Sequence, residues 1–217
     1  MITVDFIESM GTDLTVANAA RVSFGKTSTM TENQWGPPTL KDKDAKLINF
    51  LAKYKHISPF GHCFASFRIK APIFVARQLV KHKFLRWNET SRRYVDDDPE
   101  FYFPEVWRAK AEDVKQGSGG AAQSQYFPTT YLEQSANESV ARYRKMLSQG
   151  ICAEQARMVL PQNMMTEWWW SGSLDAFADM CRLRLKSDTQ FETSIVASCI
   201  DAKMKELYPV SWKALLL

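Results

Sequence analysis

The sequence predicts an α+β fold, with few strands that lie mostly in the first half and a helical second half. Two patterns predict it. Apolar and polar residues alternate after position 62, which is typical of a half-buried strand, whereas apolar residues from position 131 onward recur at helical spacing. The length of 217 residues fits one large domain, or one domain with a helical lobe. The alternating apolar positions are Cys63, Ala65, Phe67 and Ile69, with Phe64 as the exception.

The first half is predicted to begin with a strand at residues 1–10 and to continue with two helices. The first helix, Asp13–Val22, is short and amphipathic. The second, Leu40–Lys55, has apolar residues on one face and charged residues on the other. The segment between the two helices, residues 25–39, is polar and contains a Gly-Pro-Pro run, which predicts a loop.

A further helix is predicted after the strand near residue 70. Pro72 is well placed in its first turn, where a missing backbone N–H costs nothing. On this helix Gln78, Lys81 and His82 share one face through their i, i+3 and i+4 spacing. The basic residues in this region are therefore predicted to begin at a helix end and to continue into a loop.

The second half is predicted to contain one long helix and several shorter ones. Gln116–Gln125 is composed of small and polar residues, which predicts a flexible loop. Tyr131–Gln149 carries a regular apolar stripe, and Gly150 is its stop signal. Shorter helices are predicted at Ala153–Leu160, from the cap residue Ser173 to Lys186, and from Phe191 to Leu207.

Composition and charge narrow the function classes. Apolar residues make up 45% of the chain, enough for a proper core, and the longest apolar runs are too short to span a bilayer. The N-terminus lacks the pattern of a secretion signal. The net charge of +4 suits small anionic ligands better than nucleic acid. We therefore expect a cytoplasmic protein that binds neither membranes nor nucleic acid.

The cysteines predict a reducing compartment. Cys63, Cys152, Cys181 and Cys199 show no C-x-x-C spacing, and each lies in a mostly apolar segment. In such surroundings cysteine behaves as a small hydrophobic residue. We expect neither a disulfide nor a metal site, and no cysteine nucleophile.

The segment Lys81–Tyr94, with the sequence KHKFLRWNETSRRY, is the most informative part of the chain. It holds five cationic side chains, one His and a Ser hydroxyl. Such a density of charge suits the binding of an anion. The same pattern also fits a solvated helix end followed by a polar turn, and a nucleic-acid-binding module whose cations alternate with Phe84, Trp87 and Tyr94.

This segment resembles the signature of the flavin-dependent (ThyX-type) thymidylate synthases. That signature has R-H-R, seven residues and then Ser, with N-E before the Ser and R-Y after it. This chain has Lys81-His82-Lys83, seven residues and Ser91, with the flanking pairs in register. The resemblance covers most of the chain in a consistent order. The other matching segments are Ala19–Phe24, His56–His62, Lys70–Gln78, Ala156–Pro161 and Arg182–Arg184.

The resemblance implies a fold and a reaction. The fold is an antiparallel sheet flanked by helices, formed by a single domain over residues 1–217 and assembled as a homotetramer with shared active sites. The reaction is the reductive methylation of dUMP to dTMP, with methylenetetrahydrofolate as carbon donor and NADPH as reductant of bound FAD. No protein nucleophile attacks the uracil, so the protein contributes positioning and electrostatics.

The resemblance also implies the site residues. Arg184 is the predicted catalytic residue, because a guanidinium at the pyrimidine stabilises the negative charge that develops on the ring. The predicted dUMP contacts are Gln78, Leu79, Val80, Lys81, Glu89, Thr90, Ser91, Arg92, Arg93, Arg157 and Arg184. The predicted FAD contacts are His56, Ser58, Lys81, His82, Lys83, Glu89, Ser173, Asp175 and Asp179. Without the resemblance, Arg184 is better explained as a surface residue of a helix, and a lone His such as His56 is more often structural. Gln78 is either a helix-surface residue or a contact with the uracil or ribose edge.

Two features of the second half can each be interpreted in two ways. Trp168, Trp169 and Trp170 predict a core or subunit-interface cluster, with stacking on a ring-shaped ligand as the alternative. Arg157 lies in an otherwise apolar segment, so we expect it to be buried and to need an anion. That anion is either a carboxylate such as Glu154 or the phosphate of dUMP.

The chain departs from the family signature at several positions. Lys81 and Lys83 replace arginines and lose the planar, two-pronged donor. Other differences are Gly61 for an acidic residue, Asp188 for the His of a His-Ala-Gln-aromatic-Glu run, and Ser173 and Asp175 for Asn and Arg. These differences leave open a third hypothesis, a flavoprotein that has lost methylation.

Overall fold

The computed structural model describes residues 1–112 and 117–217. The strands are β1 (Thr3–Met10), β2 (Phe64–Pro72), β3 (Leu85–Glu89), β4 (Arg108–Lys110), β5 (Ser118–Ala121) and β6 (Met165–Ser173). The helices are α1 (Asp13–Arg21), α2 (Asp42–Lys53), α3 (Ile73–Leu79), α4 (Tyr126–Ser148), α5 (Ala153–Ala156), α6 (Leu174–Arg184), α7 (Phe191–Leu207) and α8 (Pro209–Leu216). Short 3₁₀ turns lie at Val22–Phe24, Ser58–His62 and Arg157–Val159.

Four strands form one antiparallel sheet in the order β1-β2-β6-β3. The two central strands, β2 and β6, pair along their whole length, from Phe64 opposite Ser173 to Pro72 opposite Met165. Strands β4 and β5 form a separate hairpin. The predicted α+β fold with an antiparallel sheet and a helical C-terminal half is therefore confirmed.

Strand β2 confirms the alternation found in the sequence. Ala65, Phe67 and Ile69 are buried, and Phe64 is 41% exposed. Phe64 is thus no exception, because it takes its turn on the outer face of the pleated strand. Phe67 of β2 contacts Phe177 of α6 edge to face, with ring centroids 5.3 Å apart, which joins the sheet to the helical layer.

Strand β6 was not predicted, because three consecutive tryptophans show no alternation of polarity. The structure nevertheless alternates them: Trp168 and Trp170 are 1% exposed and Trp169 is 44% exposed. Trp87 of β3 stacks on Trp168 with ring centroids 4.4 Å apart. Two members of the tryptophan cluster therefore belong to the core, as expected, and the third lies on the outer face of the sheet.

The basic segment contains a strand where the sequence predicted a loop. Helix α3 ends at Leu79, so Lys81 and His82 follow the helix instead of lying on it. Phe84 has a φ of 63°, which reverses the chain into β3. Strand β3 was missed because it is short: only Leu85 and Trp87 alternate with polar residues before the strand ends. Pro72 is the N-cap of α3, one residue before the predicted position.

Other elements also differ from the prediction. Ser118–Ala121 forms β5, where a flexible loop was predicted; Gln116 of that loop lies outside the described residues. Helix α4 begins at Tyr126, five residues earlier than predicted. Helix α8 was not predicted at all. The loop at 25–39 and the helices α1, α2 and α7 lie close to their predicted bounds.

The four thiols are free, but they differ in burial. Burial raises the pKa of Cys63 to about 12 and also raises the pKa of Cys181. Cys152 and Cys199 are exposed, so the expectation that all four lie in apolar surroundings was wrong for these two. In the described part of the chain, no helix is long and apolar enough to cross a bilayer.

Candidate functional site

The largest group of predicted substrate residues lines one cleft of about 700 Å³. Glu89 and Thr90 enter it from the end of β3, Arg92 from the following turn, and Arg157 from the segment after α5. The cleft also contains Lys70 and Arg77, two cations to which the sequence alone assigned no role; Lys70 is paired with Glu100 at 2.7 Å. The only sequence signal for them is their place in the matching segment from residue 70 to 78.

Glu89 is fixed in position by hydrogen bonds to both carboxylate oxygens. Thr166 Oγ1 donates to Oε1 at 2.7 Å, and Trp87 Nε1 donates to Oε2 at 3.1 Å. The backbone N–H of Thr90 donates to the carbonyl of Glu167 on β6, at 2.9 Å. The sheet therefore holds the start of the cleft rigidly, since β6 is a central strand.

The turn after β3 brings Ser91, Arg92 and Arg93 together. The hydroxyl oxygen of Ser91 accepts from the backbone N–H of Arg93 at 3.3 Å. The side chain of Arg92 is 13% exposed and pairs with Asp97 at 2.9 Å. Arg93 pairs with Glu154 at 3.1 Å, and both partners are half-exposed. Because Asp97 occupies the guanidinium of Arg92, the group that Arg92 can use to donate a hydrogen bond to a ligand is its backbone N–H.

Arg157 is exposed, so the expected burial was wrong. Its Nε donates to the backbone carbonyl of Glu154 at 3.1 Å, and the carboxylate of Glu154 is taken by Arg93. Among residues 1–112 and 117–217, no carboxylate forms an ion pair with Arg157. The segment ends in a 3₁₀ turn, which directs this side chain to the cleft instead of to the core.

A second group joins the ends of α3 and α6. Arg184 Nε donates to His82 Nε2 at 3.0 Å, and Arg184 Nη2 donates to the backbone carbonyl of Gln78 at 3.2 Å. Burial, followed by the charge of Arg184, lowers the pKa of His82 to about 4. A neutral imidazole can accept the bond from Arg184, and burial also lowers the pKa of Arg184. The guanidinium of Arg184 is thus held at two points.

The remaining residues of this group differ in exposure. Leu79 is fully buried, so only its backbone can meet a ligand, whereas Val80 is 48% exposed. Lys81 and Lys83 are exposed and form no ion pair within the described residues. The side-chain amide of Gln78 bonds Gln190 and Thr193.

A third group lies around a cleft of about 720 Å³ beside the start of α6. Asp175, Asp179 and Ile57 line it, and His56 and Ser58 flank Ile57 and are exposed. Asp175 Oδ1 is buried without a hydrogen-bond partner in the described residues. Asp179 pairs with Arg182.

Ser173 and Gly61 complete this third group. Ser173 is the N-cap of α6, as predicted, but it is 8% exposed and makes no capping bond with its side chain. A Cβ placed on Gly61 would lie 4.0 Å from Asp175 Oδ1. Two of the departures from the family signature therefore meet in space at this cleft.

The structure thus divides the predicted residues into three groups on one chain. Glu89, Thr90, Arg92 and Arg157 share the first cleft, and Ser91 and Arg93 lie next to Arg92 in the same turn. Arg184, His82 and Gln78 form the second group, and the residues near the start of α6 form the third. Helix α6 connects the last two, because Asp175 lies in its first turn and Arg184 at its end.

Comparisons with known proteins show the family to which this chain belongs. Residues 5–210 match the family model described as thymidylate synthase complementing protein, Thy1. A flavin-dependent thymidylate synthase of Thermus thermophilus is 37% identical over 97% of this chain and 74% of its own length. One from Kosmotoga olearia is 34% identical over 98% of this chain and 89% of its own length.

A solved structure shares the fold. The UMP/dUMP methylase PolB from Streptomyces cacaoi, bound with 5-Br dUMP, superposes with a TM-score of 0.85 and 28% identity. The match covers 99% of this chain and 94% of PolB. With the family model spanning nearly the whole sequence and relatives above 30% identity, this chain belongs to the flavin-dependent thymidylate synthase family.

Proposed function

We propose that this protein methylates dUMP to dTMP, with methylenetetrahydrofolate as carbon donor, NADPH as reductant and FAD as the bound cofactor. Family membership supports the reaction. The observation that carries the proposal is the guanidinium of Arg184, which is held by His82 and by the carbonyl of Gln78. A cation fixed in this way needs no reorganisation when charge develops on a pyrimidine ring.

The phosphate of dUMP is assigned to the cationic cleft after β3. Ser91, Arg93 and Arg157 would bind it through charge-assisted hydrogen bonds, and Arg92 through its backbone N–H. Arg157 supports this assignment, because it has no carboxylate partner within the described residues. The other proposed dUMP contacts are Gln78, Leu79, Val80, Lys81, Glu89, Thr90 and Arg184.

The proposed reaction needs no protein nucleophile. Cys63 and Cys181 are buried, and burial raises the pKa of both thiols, so neither supplies a thiolate. Arg184 acts on the uracil by electrostatics alone, stabilising the ring as its N–H ionises. The exclusion of water and the alignment of the reacting rings are the other tasks of the protein.

The third group and the turn that contains Lys81 and Lys83 are suited to binding FAD. Lys81 and Lys83 are exposed cations suited to its phosphates, and Asp175 Oδ1 is a buried acceptor that lacks a donor among the described residues. The proposed contacts are His56, Ser58, Lys81, His82, Lys83, Glu89, Ser173, Asp175 and Asp179. When bound, FAD supplies the hydride for the transferred carbon.

We further propose a single-domain chain that forms a homotetramer with shared active sites and works in the cytoplasm. Two observations support the assembly. The predicted residues fall into separate groups on one chain, and large apolar side chains such as Phe64 and Trp169 are 41% and 44% exposed on the outer sheet face. A partner subunit would cover such a face and complete the site.

Purified protein tests the function directly. We expect it to be yellow, with a flavin spectrum that NADPH bleaches in the presence of dUMP, and to form dTMP once methylenetetrahydrofolate is added. Bleaching without dTMP would favour the flavoprotein that has lost methylation. A colourless protein that binds neither FAD nor dUMP would contradict the proposal and favour the nucleic-acid-binding hypothesis.

A further inference from the structure

The side-chain amide of Gln78 is oriented by helix α7. Gln78 Nε2 donates to Gln190 Oε1, and Gln78 Oε1 accepts from Thr193 Oγ1 at 3.2 Å. An amide group has two N–H donors and two acceptor lone pairs. After these two bonds, Gln78 keeps one N–H and one lone pair for a ligand.

The chain of hydrogen bonds continues from Gln190 to a buried ion pair. Gln190 Nε2 donates to Glu192 Oε2 at 3.2 Å. Arg108 Nη2 donates to both oxygens of Glu192, at 2.7 and 2.8 Å, and the Glu192 side chain is 4% exposed. The hydroxyl of Tyr102 donates to Glu192 Oε1 at 3.4 Å. Glu192 is therefore surrounded by donors.

The charge of Glu192 sets the direction of both amides. An ionised carboxylate only accepts hydrogen bonds, so Gln190 must turn its NH₂ group towards it. The carbonyl of Gln190 then faces Gln78, which must donate a hydrogen bond from its own NH₂ group. The carbonyl of Gln78 is left facing Thr193, whose hydroxyl donates. The buried charge of Glu192 thus fixes the Gln78 amide, with its NH₂ group towards Gln190 and its carbonyl towards Thr193.

We propose that Glu192 is a positioning residue that fixes the amide of Gln78 and thereby makes the site select uracil over cytosine. This inference rests on the proposed function, in which Gln78 contacts dUMP, and it assigns that contact to the base. Uracil has a carbonyl oxygen at position 4 and an N–H at position 3, whereas cytosine has an amine and a bare nitrogen there. The two bases therefore exchange donor for acceptor on the edge that an amide reads.

The variant Glu192→Gln tests the proposal without removing volume. Arg108 donates to both oxygens but Tyr102 donates only to Oε1, so a carbonyl in the Oε1 position keeps more bonds; the new NH₂ group then faces Gln190 and loses the second bond from Arg108. Gln190 and Gln78 then reverse in turn, and the hydroxyl of Thr193 accepts instead of donating. Because a mispaired polar group is costly in a binding site, we expect the ratio of dUMP to dCMP affinity to fall about tenfold or more.

The measurement is titration calorimetry of the flavin-loaded protein with dUMP and with dCMP. The affinity ratio does not depend on the folded fraction, because unfolding removes sites for both ligands equally. Glu206→Gln on the same helix is the matched control, since Glu206 forms an exposed ion pair with Lys203 at 2.9 Å. Its ratio should equal that of the wild type. Glu192→Asp keeps the charge and should keep most of the preference for dUMP.

The outcomes separate this inference from the proposed function. If the wild type prefers dUMP and Glu192→Gln keeps the same ratio, the positioning role is overturned and the function stands. If the wild type does not bind dUMP, both are overturned. A ratio that falls in Glu192→Gln but not in Glu206→Gln establishes the role of Glu192.

Discussion

At the scale of single residues, the proposed chemistry depends on how Arg184 is held. Its Nε bonds His82, and its Nη2 bonds a backbone carbonyl at the end of α3. The imidazole can accept only while it is neutral, and burial favours the neutral form. The partly buried environment of the two side chains therefore keeps a fixed cation available, and no carboxylate of residues 1–112 or 117–217 forms an ion pair with it.

The lowered pKa of His82 gives a first prediction. Its pKa in the folded protein is about 4, below the ordinary value of 6.5, so the unfolded chain binds a proton that the folded chain does not. The stabilisation from the neutral imidazole is present above pH 6.5 and is lost as the pH falls towards 4. We expect an NMR titration, assigned by comparison with His82→Gln, to show a midpoint near pH 4. A midpoint near 6.5 would contradict the packing of Arg184 against a neutral ring.

Ser91 gives a second prediction at this scale. Ser91→Ala should weaken dUMP binding about tenfold, because a hydrogen bond to the phosphate is lost, and should change the free energy of unfolding little. Titration calorimetry and urea unfolding measure the two effects. Ser198→Ala, at an exposed position on α7, is the control. Its dUMP affinity and its free energy of unfolding should both equal those of the wild type. Unchanged affinity in Ser91→Ala would remove this residue from the site.

The roles of residues were predictable to an uneven degree. The order of the basic residues in the sequence identified the segment that forms the cleft, but not the partners of its side chains. Arg157 was expected to be buried because its neighbours are apolar, yet a 3₁₀ turn directs it outward. Glu154 was considered as its partner and instead pairs with Arg93. Such ion pairs join segments that are far apart in the sequence, so they cannot be predicted from the neighbouring residues.

At the scale of elements, strand β6 supports the site through its pairing with β3. Their close approach is visible at Gly172, where an added Cβ would lie 3.1 Å from the carbonyl oxygen of Phe84 and 2.3 Å from Leu85 Cδ2. Glycine therefore lets the chain reversal at Phe84 sit against the central strand. This contact therefore positions the turn at Lys81–Phe84.

Gly172→Ala provides a third prediction. The methyl group must displace Leu85 and press on the backbone of Phe84, so we expect a loss of about 1–3 kcal/mol in the free energy of unfolding. Gly120→Ala is the control, because nothing lies within 4 Å of its added Cβ. Urea unfolding followed by tryptophan fluorescence compares the two. Equal stability of both variants would show that the β3–β6 contact is looser than described.

Elements were predicted well where one periodicity dominates. The helices α1 and α2 have clear apolar stripes, and β2 has a clear alternation. Strand β3 was missed because it is short and lies at an edge, and β6 because its tryptophans run consecutively. Strand β5 was taken for a loop because of its glycines. In each case tertiary pairing, not local propensity, determines the strand.

At the scale of the whole molecule, the proposed homotetramer would let neighbouring subunits contribute to one site. The cleft that contains Arg157 does not include Arg184. If each active site takes these two residues from different subunits, two inactive variants can restore each other. A site composed of the intact Arg184 of one chain and the intact Arg157 of the other would be complete.

Complementation is the fourth prediction. Arg157→Ala and Arg184→Ala should each form little dTMP alone, whereas the co-expressed pair, purified as mixed oligomers, should recover a measurable fraction of wild-type turnover. Light scattering establishes the oligomeric state of the same samples. A mixture as inactive as its components would indicate that both residues serve the same site from one chain.

The central claim is that Arg184 activates the uracil by its fixed charge, without a covalent bond from the protein. The most direct measurement determines flavin content and dTMP formation in one preparation of Arg184→Ala. We predict that the flavin remains bound, because Lys81 and Lys83 are unchanged, and that turnover falls about 100-fold or more. Turnover at the wild-type rate would contradict the claim, as would a preparation that has lost its flavin.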